Sequence, residues 1–472
     1  MGDEVSKTHF KPEDYQRFAD KLEQEMAFVR ELFAEQRFDN STRKLGYELE
    51  LCLLNDQGLP AAKNQQVLKQ ADNPLFTYEL ARYNLEINGH AFELDADVFE
   101  KIDQDLRQLY QQLARVSSEL NIEPALFGVL PSLDHMHLEP ADYMSDMFRY
   151  RLLNQQLMSM RQRPVRVEIH GDDHLMVERS DVMLEALGTS LQVHLQLPFS
   201  DAVDCYHAAL WSSMAMLAVS ANSPLVLGKC CWQESRIAIF KQSVDTRNTQ
   251  EIHDAVVPRV HLSKGYIDSF LQLFEDNAYY SPILPEVIDC PVEDLHHFTL
   301  HNGTIWRWVR PILGRDRKKN YHLRLELRVA PSGPTLIDTM ANMVFYIGLT
   351  AGLRGDPAQL TQVPYSSLEQ DFYQVARQGL DAEVTWCNGQ MGTMQQILLE
   401  HAIPTASAGL AELGVKNTDK WLDIIRKRCT SGQTGAQWIT RFWKRNPNAA
   451  VLVKHYLQHA RQNLPVHLWP AN

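Results

Sequence analysis

No pair among the seven cysteines has CxxC spacing; they are scattered along the chain, with Cys230 and Cys231 adjacent. A thiolate metal centre and a disulfide scaffold are both set aside, and reduced thiols are the expected state. Phosphate-binding glycine loops are missing too. Neither GxxxxGK[ST] nor GxGxxG occurs, which excludes a P-loop and a Rossmann-type dinucleotide site. No uninterrupted apolar run is long enough to span a bilayer; the longest apolar helix candidate, around 208–219, is broken by Ser212 and Ser213. The opening "MGDEVSKTHF" is polar and acidic and shows no signal peptide. Lys and Arg form no extended run, and the 472-residue chain carries a net charge of −13, which argues against nucleic acid as a partner. These absences lead us to expect a cytoplasmic protein with no membrane association. Any anionic ligand would have to be held by locally placed arginines or metal ions.

What is present is an ordinary globular composition, 44% apolar and 22% charged, enough for one large domain or two intimately packed ones. Residues 11–36 have helical periodicity through Tyr15, Phe18, Leu22, Met26, Val29 and Phe33. Helices are also expected at 95–120, 142–161 and 334–353 and, buried nearly all round, over "DAVDCYHAALWSSMAMLAVSANSP" up to its Asn-Ser-Pro stop, and "VRVEIH–GDD–HLMVE" reads as a hairpin. Residues 241–300 read as irregular with one helix near 266–274, and everything from about 366 onward reads as helical. Strands separated by helices of uneven length predict an α+β fold with a largely antiparallel sheet, flanking helices and a helical C-terminal tail. The expected division is an N-terminal amphipathic helix (1–43), a catalytic domain (44–365) and a helical C-terminal region packed on it (366–472).

Four strands share an unusual property. In "KLGYELELCLL" Leu45, Tyr47, Leu49, Leu51 and Leu53 alternate with Gly46, Glu48, Glu50 and Cys52. Asn84, Glu86 and Asn88 alternate in a second strand, Gln192, His194 and Gln196 in a third, and Arg324, Glu326 and Arg328 in a fourth. Each strand buries one face and offers a polar one. Taken singly, Glu48 and Glu50 could be no more than the wet side of a strand. Brought into one sheet, the four faces present four carboxylates, one imidazole and two guanidiniums, a set suited to Mg²⁺ or Mn²⁺ rather than structural zinc. Hard cations among carboxylates, with arginines nearby, are apparatus for gripping a nucleoside triphosphate.

The ordered motifs "GYELE", "VHLQ" before "SANSP", "ESR", "IWRWVRP" and "ELRVAPSGPT" resemble the second glutamate–cysteine ligase family. That family belongs to the carboxylate–amine ligases of the glutamine-synthetase/guanido-kinase catalytic fold. The resemblance covers about 44–355 and continues, more weakly, into "CTSGQTGAQW". It implies ATP-dependent activation of a carboxylate, by default the γ-carboxylate of glutamate. An amine, by default cysteine, then attacks the acyl phosphate. A guanido-kinase-like phosphotransferase and a silent nucleotide-binding relative are the alternatives. Small-molecule amino acid and amine partners are implied, and a homo-oligomer is compatible with the sequence.

By the same resemblance, Glu48, Glu50, Glu86, His194 and Glu326 would hold Mg²⁺ or Mn²⁺. Glu79 would be either a companion ligand or a helix-surface residue. Arg328 would meet the phosphoryl group or pair with Glu326; Arg310 and Arg236 would bind phosphate or substrate carboxylate, or form salt bridges. Gln192, Arg328 and Arg310 are the nucleotide-binding candidates. Trp306 and Trp308 read as packing residues, and His170, His174 and His301 are given no role. Segments 165–180 and 245–294 look like insertions where substrate specificity would reside. Glu50→Gln and Glu326→Gln are expected to abolish turnover and leave the fold intact, since each removes charge from a repulsive cluster.

Overall fold

The alternation in the sequence becomes a pairing register in the computed structural model, which describes residues 9–470. Strands are numbered in chain order. The main sheet contains β1 (Lys44–Leu54), β2 (Phe76–Tyr78), β3 (Asn84–Asn88), β4 (Phe92–Glu93) and β5 (Glu123–Ala125). A short ladder of β6 (Val165–His170) and β7 (His174–Arg179) precedes β8 (Ser190–Leu197). A second ladder, β9 (Leu225–Val226) with β10 (Lys229–Cys230), precedes β11 (Val309–Arg315) and β12 (Tyr321–Pro331). The last ladder is β13 (Glu383–Thr385) with β14 (Met391–Thr393).

The main sheet runs β11-β12-β8-β1-β3-β2, with β4 and β5 added to β1. All of these pairings are antiparallel. Period-two alternation fixes the register, because a one-residue slip would turn every Leu of β1 to the wrong face. Glu50 therefore lies opposite Glu86, Glu48 opposite Gln192, and Glu326 between His194 and Arg310. One irregularity matters. The β8–β12 register shifts between Leu327 and Ala330, so Arg328 and Val329 form a bulge opposite Gln192.

The apolar face packs on two helices, Ala202–Ser220 and Leu336–Arg354, each buried nearly all round. Leu336–Arg354 is long and apolar enough to cross a membrane, but most of it is buried inside the protein. It crosses Ile403–Glu412 in backbone contact: a Cβ on Gly409 would collide with the backbone of Gly348 and Gly352. The C-terminal helices share the core of the sheet, and one buried polar junction fastens them. Arg428, in Asp419–Ser431, pairs with Asp338 at 2.7 Å and donates to the Val219 carbonyl and the Asn342 side chain. Asp338 also accepts from the backbone of Val466 at 3.0 Å.

Local context displaced several sequence expectations. The helix expected at 142–161 is split into Pro140–Tyr143 and Phe148–Arg161. At the break, Ser145 N donates to the Leu80 carbonyl (2.9 Å) and Met144 bridges to Ala81, a tertiary pairing stronger than helix propensity. Residues 241–300 hold more helix than one segment: Thr249–His253, Phe270–Glu275 and His296–Asn302 all form. The expected 266–274 helix starts late because Ser269 caps it, its hydroxyl accepting from Leu271 N. The β13–β14 hairpin interrupts the helical tail, turning at Asn388–Gly389 with Gly389 at φ +81°.

Breaking the junction should separate it from ordinary surface charge. Arg428→Met leaves Asp338 buried without its cation and should cost about 3–5 kcal/mol in denaturant unfolding. Lys427→Ala removes an exposed pair with Asp423 and should change stability by less than about 1 kcal/mol.

Candidate active site

The polar face of the sheet forms the floor of a cleft with a free volume of about 120 Å³. Its walls come from the helix Phe148–Arg161 (Arg149, Tyr150), the helix Arg236–Ser243 (Phe240) and the segment carrying Thr304 and Trp306. Past Glu48 the cleft continues over His194, Arg310, Arg324 and Glu326, bordered by Glu286, His296 and Asn302.

The sheet sorts the predicted acidic residues into two groups. Glu48, His194 and Glu326 can each bring one ligand atom within 4.8 Å of the others, and so can Glu50, Glu79 and Glu86. In the first group His194 Nε2 lies 3.1 Å from Glu48 Oε1 and 3.7 Å from Glu326 Oε1. Arg310 grips Glu326 with two nitrogens, at 2.6 and 2.7 Å, and Arg328 Nη1 adds a third contact at 3.1 Å. Burial would raise Glu326, but Arg310, Arg328 and His194 outweigh it and hold the carboxyl well below its ordinary range. Burial also opposes ionisation of Glu48, and the neighbouring His194 more than offsets it, lowering the pKa to about 2. This group is ionised because cations surround it.

In the second group burial and like charge prevail. Gln192 Nε2 and Ser190 N donate to Glu50, Thr77 and Asn88 to Glu86. Burial raises Glu50 despite Arg328 and Arg236. Burial and the like charge of Glu48 push Glu86 up to about 8, and burial with Glu50 and Glu86 drives Glu79 well above its usual value. A divalent cation would remove this conflict, and the donors fit one. Glu79 Oε1 is buried without a hydrogen-bond partner, and neither ring nitrogen of His194 makes a directed hydrogen bond. Each group could hold a hard ion through oxygen, the first with a single imidazole nitrogen as well.

All five predicted ligands thus face one cleft. Glu79 lies on no helix; it follows β2, held in place by Ser145, whose hydroxyl donates to the Glu79 carbonyl, and by Tyr150, which donates to the Tyr78 carbonyl. Gln192 links the two groups, accepting from Arg328 at 2.6 Å while donating to Glu50 at 3.1 Å. Arg236 reaches the site differently. Its Nη2 donates to the carbonyls of Arg328 (3.1 Å) and Val329, so it holds the bulge that aims Arg328. Arg236 is itself steadied by buried Glu234 at 3.4 Å and by the ring of Trp308. Trp308 is a packing residue; Trp306 is half-buried and lines the cleft.

Three residues of the cleft were given no role from sequence. Arg324 alternates with Glu326, and its buried Nε has no hydrogen-bond partner. Arg149 lies on a cleft wall. Glu185, in a short 3-10 turn (Glu185–Leu187), is driven to about 8 by burial and then by Glu50. Arg324 could have been found from its alternation, whereas nothing in "VMLEALG" marks Glu185.

The expectation for Glu326→Gln needs correcting. Buried Glu326 does not sit in a repulsive cluster; it is paired with two half-buried guanidiniums, Arg310 and Arg328.

The family model described as glutamate-cysteine ligase family 2 matches residues 44–457. Among solved structures, the chain is similar to the glutamate–cysteine ligase of Francisella tularensis in complex with AMP. The identity is 12% and the TM-score 0.55, covering 92% of this chain and 91% of that one, a likeness of fold. It also aligns with a bifunctional glutathione synthetase from Pasteurella multocida at 12% identity and TM-score 0.47, covering 93% of this chain and 55% of that one. No curated protein sequence matches.

The two groups should respond oppositely to charge removal. Glu86→Gln should leave stability without metal unchanged within about 0.5 kcal/mol or raise it, whereas Glu326→Gln should lower it by about 3 kcal/mol; chemical denaturation in EDTA measures both. Glu86 and Glu185, at about 8 in the folded protein, hold protons that the unfolded chain releases near 4.5. Stability without metal should therefore fall as pH rises from about 4.5 through 8, because the folded state binds more protons in that window. Mn²⁺ must displace those protons at the acid end. Its stabilising shift in melting temperature should be larger at about pH 9 than at about pH 6; an equal or smaller shift at the alkaline end would contradict this assignment.

Proposed function

The chain belongs to glutamate–cysteine ligase family 2 and is an ATP-dependent carboxylate–amine ligase; from that premise we propose that the two acidic groups on the sheet hold divalent cations against the triphosphate of ATP. The observation that carries the proposal is the split of one polar face into Glu48–His194–Glu326 and Glu50–Glu79–Glu86, beneath two adjoining cavities that share Glu48 and Arg310. Divalent cations, when bound, supply charge screening and polarisation of the transferred phosphoryl group.

The chain's own residues then do the positioning. Arg310, Arg324 and Arg328 project from adjacent strands along one side of the cleft, where an anionic phosphoryl group would lie. Gln192 keeps Arg328 aligned with Glu50. A carboxylate substrate, by default the γ-carboxylate of glutamate, attacks the terminal phosphorus. The P–O bond to ADP breaks, and an acyl phosphate results. An amine, by default that of cysteine, then attacks the acyl carbon and expels phosphate. Before attack the ammonium must lose a proton. Glu185, on the wall beside Glu50 and Arg328, can accept it in its ionised form, which predominates above about pH 8. Walls around the site keep water from the acyl phosphate, the competing nucleophile. All seven cysteines are free, which fits a reducing, ATP-supplied compartment such as the cytoplasm.

Incubation with ATP, Mg²⁺, glutamate and a panel of amines should release ADP and phosphate only when a carboxylate and an amine are both present. Glu86→Gln should reduce that turnover by at least about 100-fold, the scale on which one electrostatic partner of a transition state is lost. Absence of nucleotide turnover with every acid–amine pair, from protein shown to have bound Mg²⁺, would overturn the proposal.

A further inference from the structure

Outside the cleft, the β6–β7 hairpin gathers Glu168, His170 and His174 on its outward face. One ligand atom from each lies within 4.8 Å of the others. The register explains why: His170 and His174 are directly paired across the turn, and Glu168 precedes His170 by two residues on the same face. His174 Nε2 is 3.0 Å and His170 Nε2 3.4 Å from the same oxygen, Glu168 Oε1. The other carboxylate oxygen accepts from Arg166 Nη2 at 2.7 Å, which turns Oε1 toward the imidazoles. The two rings are stacked, with centroids 4.3 Å apart and planes 7° from parallel. Both are exposed, so a small tilt about the side-chain torsions brings their lone pairs together.

We propose that this hairpin face is a transition-metal site, taking Zn²⁺, Ni²⁺ or Cu²⁺ through His170, His174 and Glu168 with its remaining positions open to water. Two imidazoles and one carboxylate are a donor set for these borderline ions, not for Mg²⁺, which prefers oxygen alone. Arg166 supplies the outer contact that orients the ligating carboxylate. The platform is fixed. Val165, Val167, Ile169, Leu175 and Val177 are buried beneath it. Trp232 Nε1 donates to the His170 carbonyl at 2.9 Å, and Asp173 exchanges hydrogen bonds with the backbone of Cys230 at 2.7 and 2.8 Å. A second mixed group, Glu25, Cys290 and His297, differs in kind. There both His297 nitrogens are already used, one by Glu25 at 2.6 Å and one by Ile288 N at 3.3 Å, so that group is structural. The hairpin residues line none of the cleft, and the inference stands whether or not the ligase reading does.

The test is calorimetric titration of the full chain with Zn²⁺ in excess Mg²⁺, which occupies the oxygen-rich positions. One Zn²⁺ per chain should bind, and Co²⁺ in its place should give visible ligand-field absorption. His170→Ala and His174→Ala, both at exposed positions and checked for folding by circular dichroism, should each weaken that event by about 10- to 100-fold. His194→Ala should leave it intact, which separates this site from the one cleft group that also offers an imidazole. Binding of Zn²⁺ unaltered in the double alanine variant, or no Zn²⁺ bound to the wild-type chain in Mg²⁺, would overturn the proposal.

Discussion

The contact of Glu326 with Arg310 and Arg328 is the interaction around which the site is arranged. Glu326 is buried there and the two guanidiniums are half-buried, so the carboxylate would be costly without them. Held together by register, the arginines keep the carboxylate ionised, and the carboxylate keeps the arginines inside the sheet face. His194 lies between Glu326 and Glu48 and links them across the sheet, and Glu48, beside it, is held at about 2. In the other half burial outweighs the nearby cations, Arg328 and Arg236 beside Glu50 among them, and the carboxyls are pushed toward neutrality.

The bulge in β12 converts that pairing into geometry. Regular pairing would leave Arg328 at a fixed height above the sheet. The extra residue at Arg328–Val329 turns it toward Gln192, and Arg236 satisfies the carbonyls that the bulge exposes. Arg236 depends in turn on Glu234, whose carboxylate also binds Asn222 N and the Ser223 hydroxyl. Asn222 reaches Ser332 and Tyr456, so the short motifs "SANSP", "ESR" and "VAPSG" meet at one buried polar network. Far apart in sequence, they act together to fix one irregular turn of strand next to the cleft. The C-terminal helices take part through Tyr456 and through the Arg428–Asp338 pair, which ties the tail to the core beneath the sheet.

Two regions that looked like insertions have separate consequences. The 165–180 segment is a self-contained hairpin whose apolar side packs under the molecule's surface and whose polar side faces solvent. The 245–294 segment is woven into the wall of the cleft, supplying Leu284 and Glu286. Specificity for acid and amine is more naturally sought in the second.

Much of the fold and site was legible in the sequence because strand geometry is periodic. Alternation every second residue told which face of β1, β3, β8 and β12 was polar, and therefore that Glu48, Glu50, Glu86, His194 and Glu326 could share a surface. Whether strands so far apart in the chain become neighbours is a matter of long-range pairing, and no local pattern encodes it. For the same reason the division of the acids into two groups, the choice between the two readings of Glu79, the place of Glu185 and the role of Arg236 through the bulge emerged only from tertiary structure. His170 and His174 flank the turn of the hairpin that the sequence predicts, but the approach of both rings to one oxygen of Glu168 is seen only in the structure. The chain determined by itself which side chains could do chemistry; packing decided which of them face the same few ångströms of space, because charge and coordination depend on distance rather than on order along the chain.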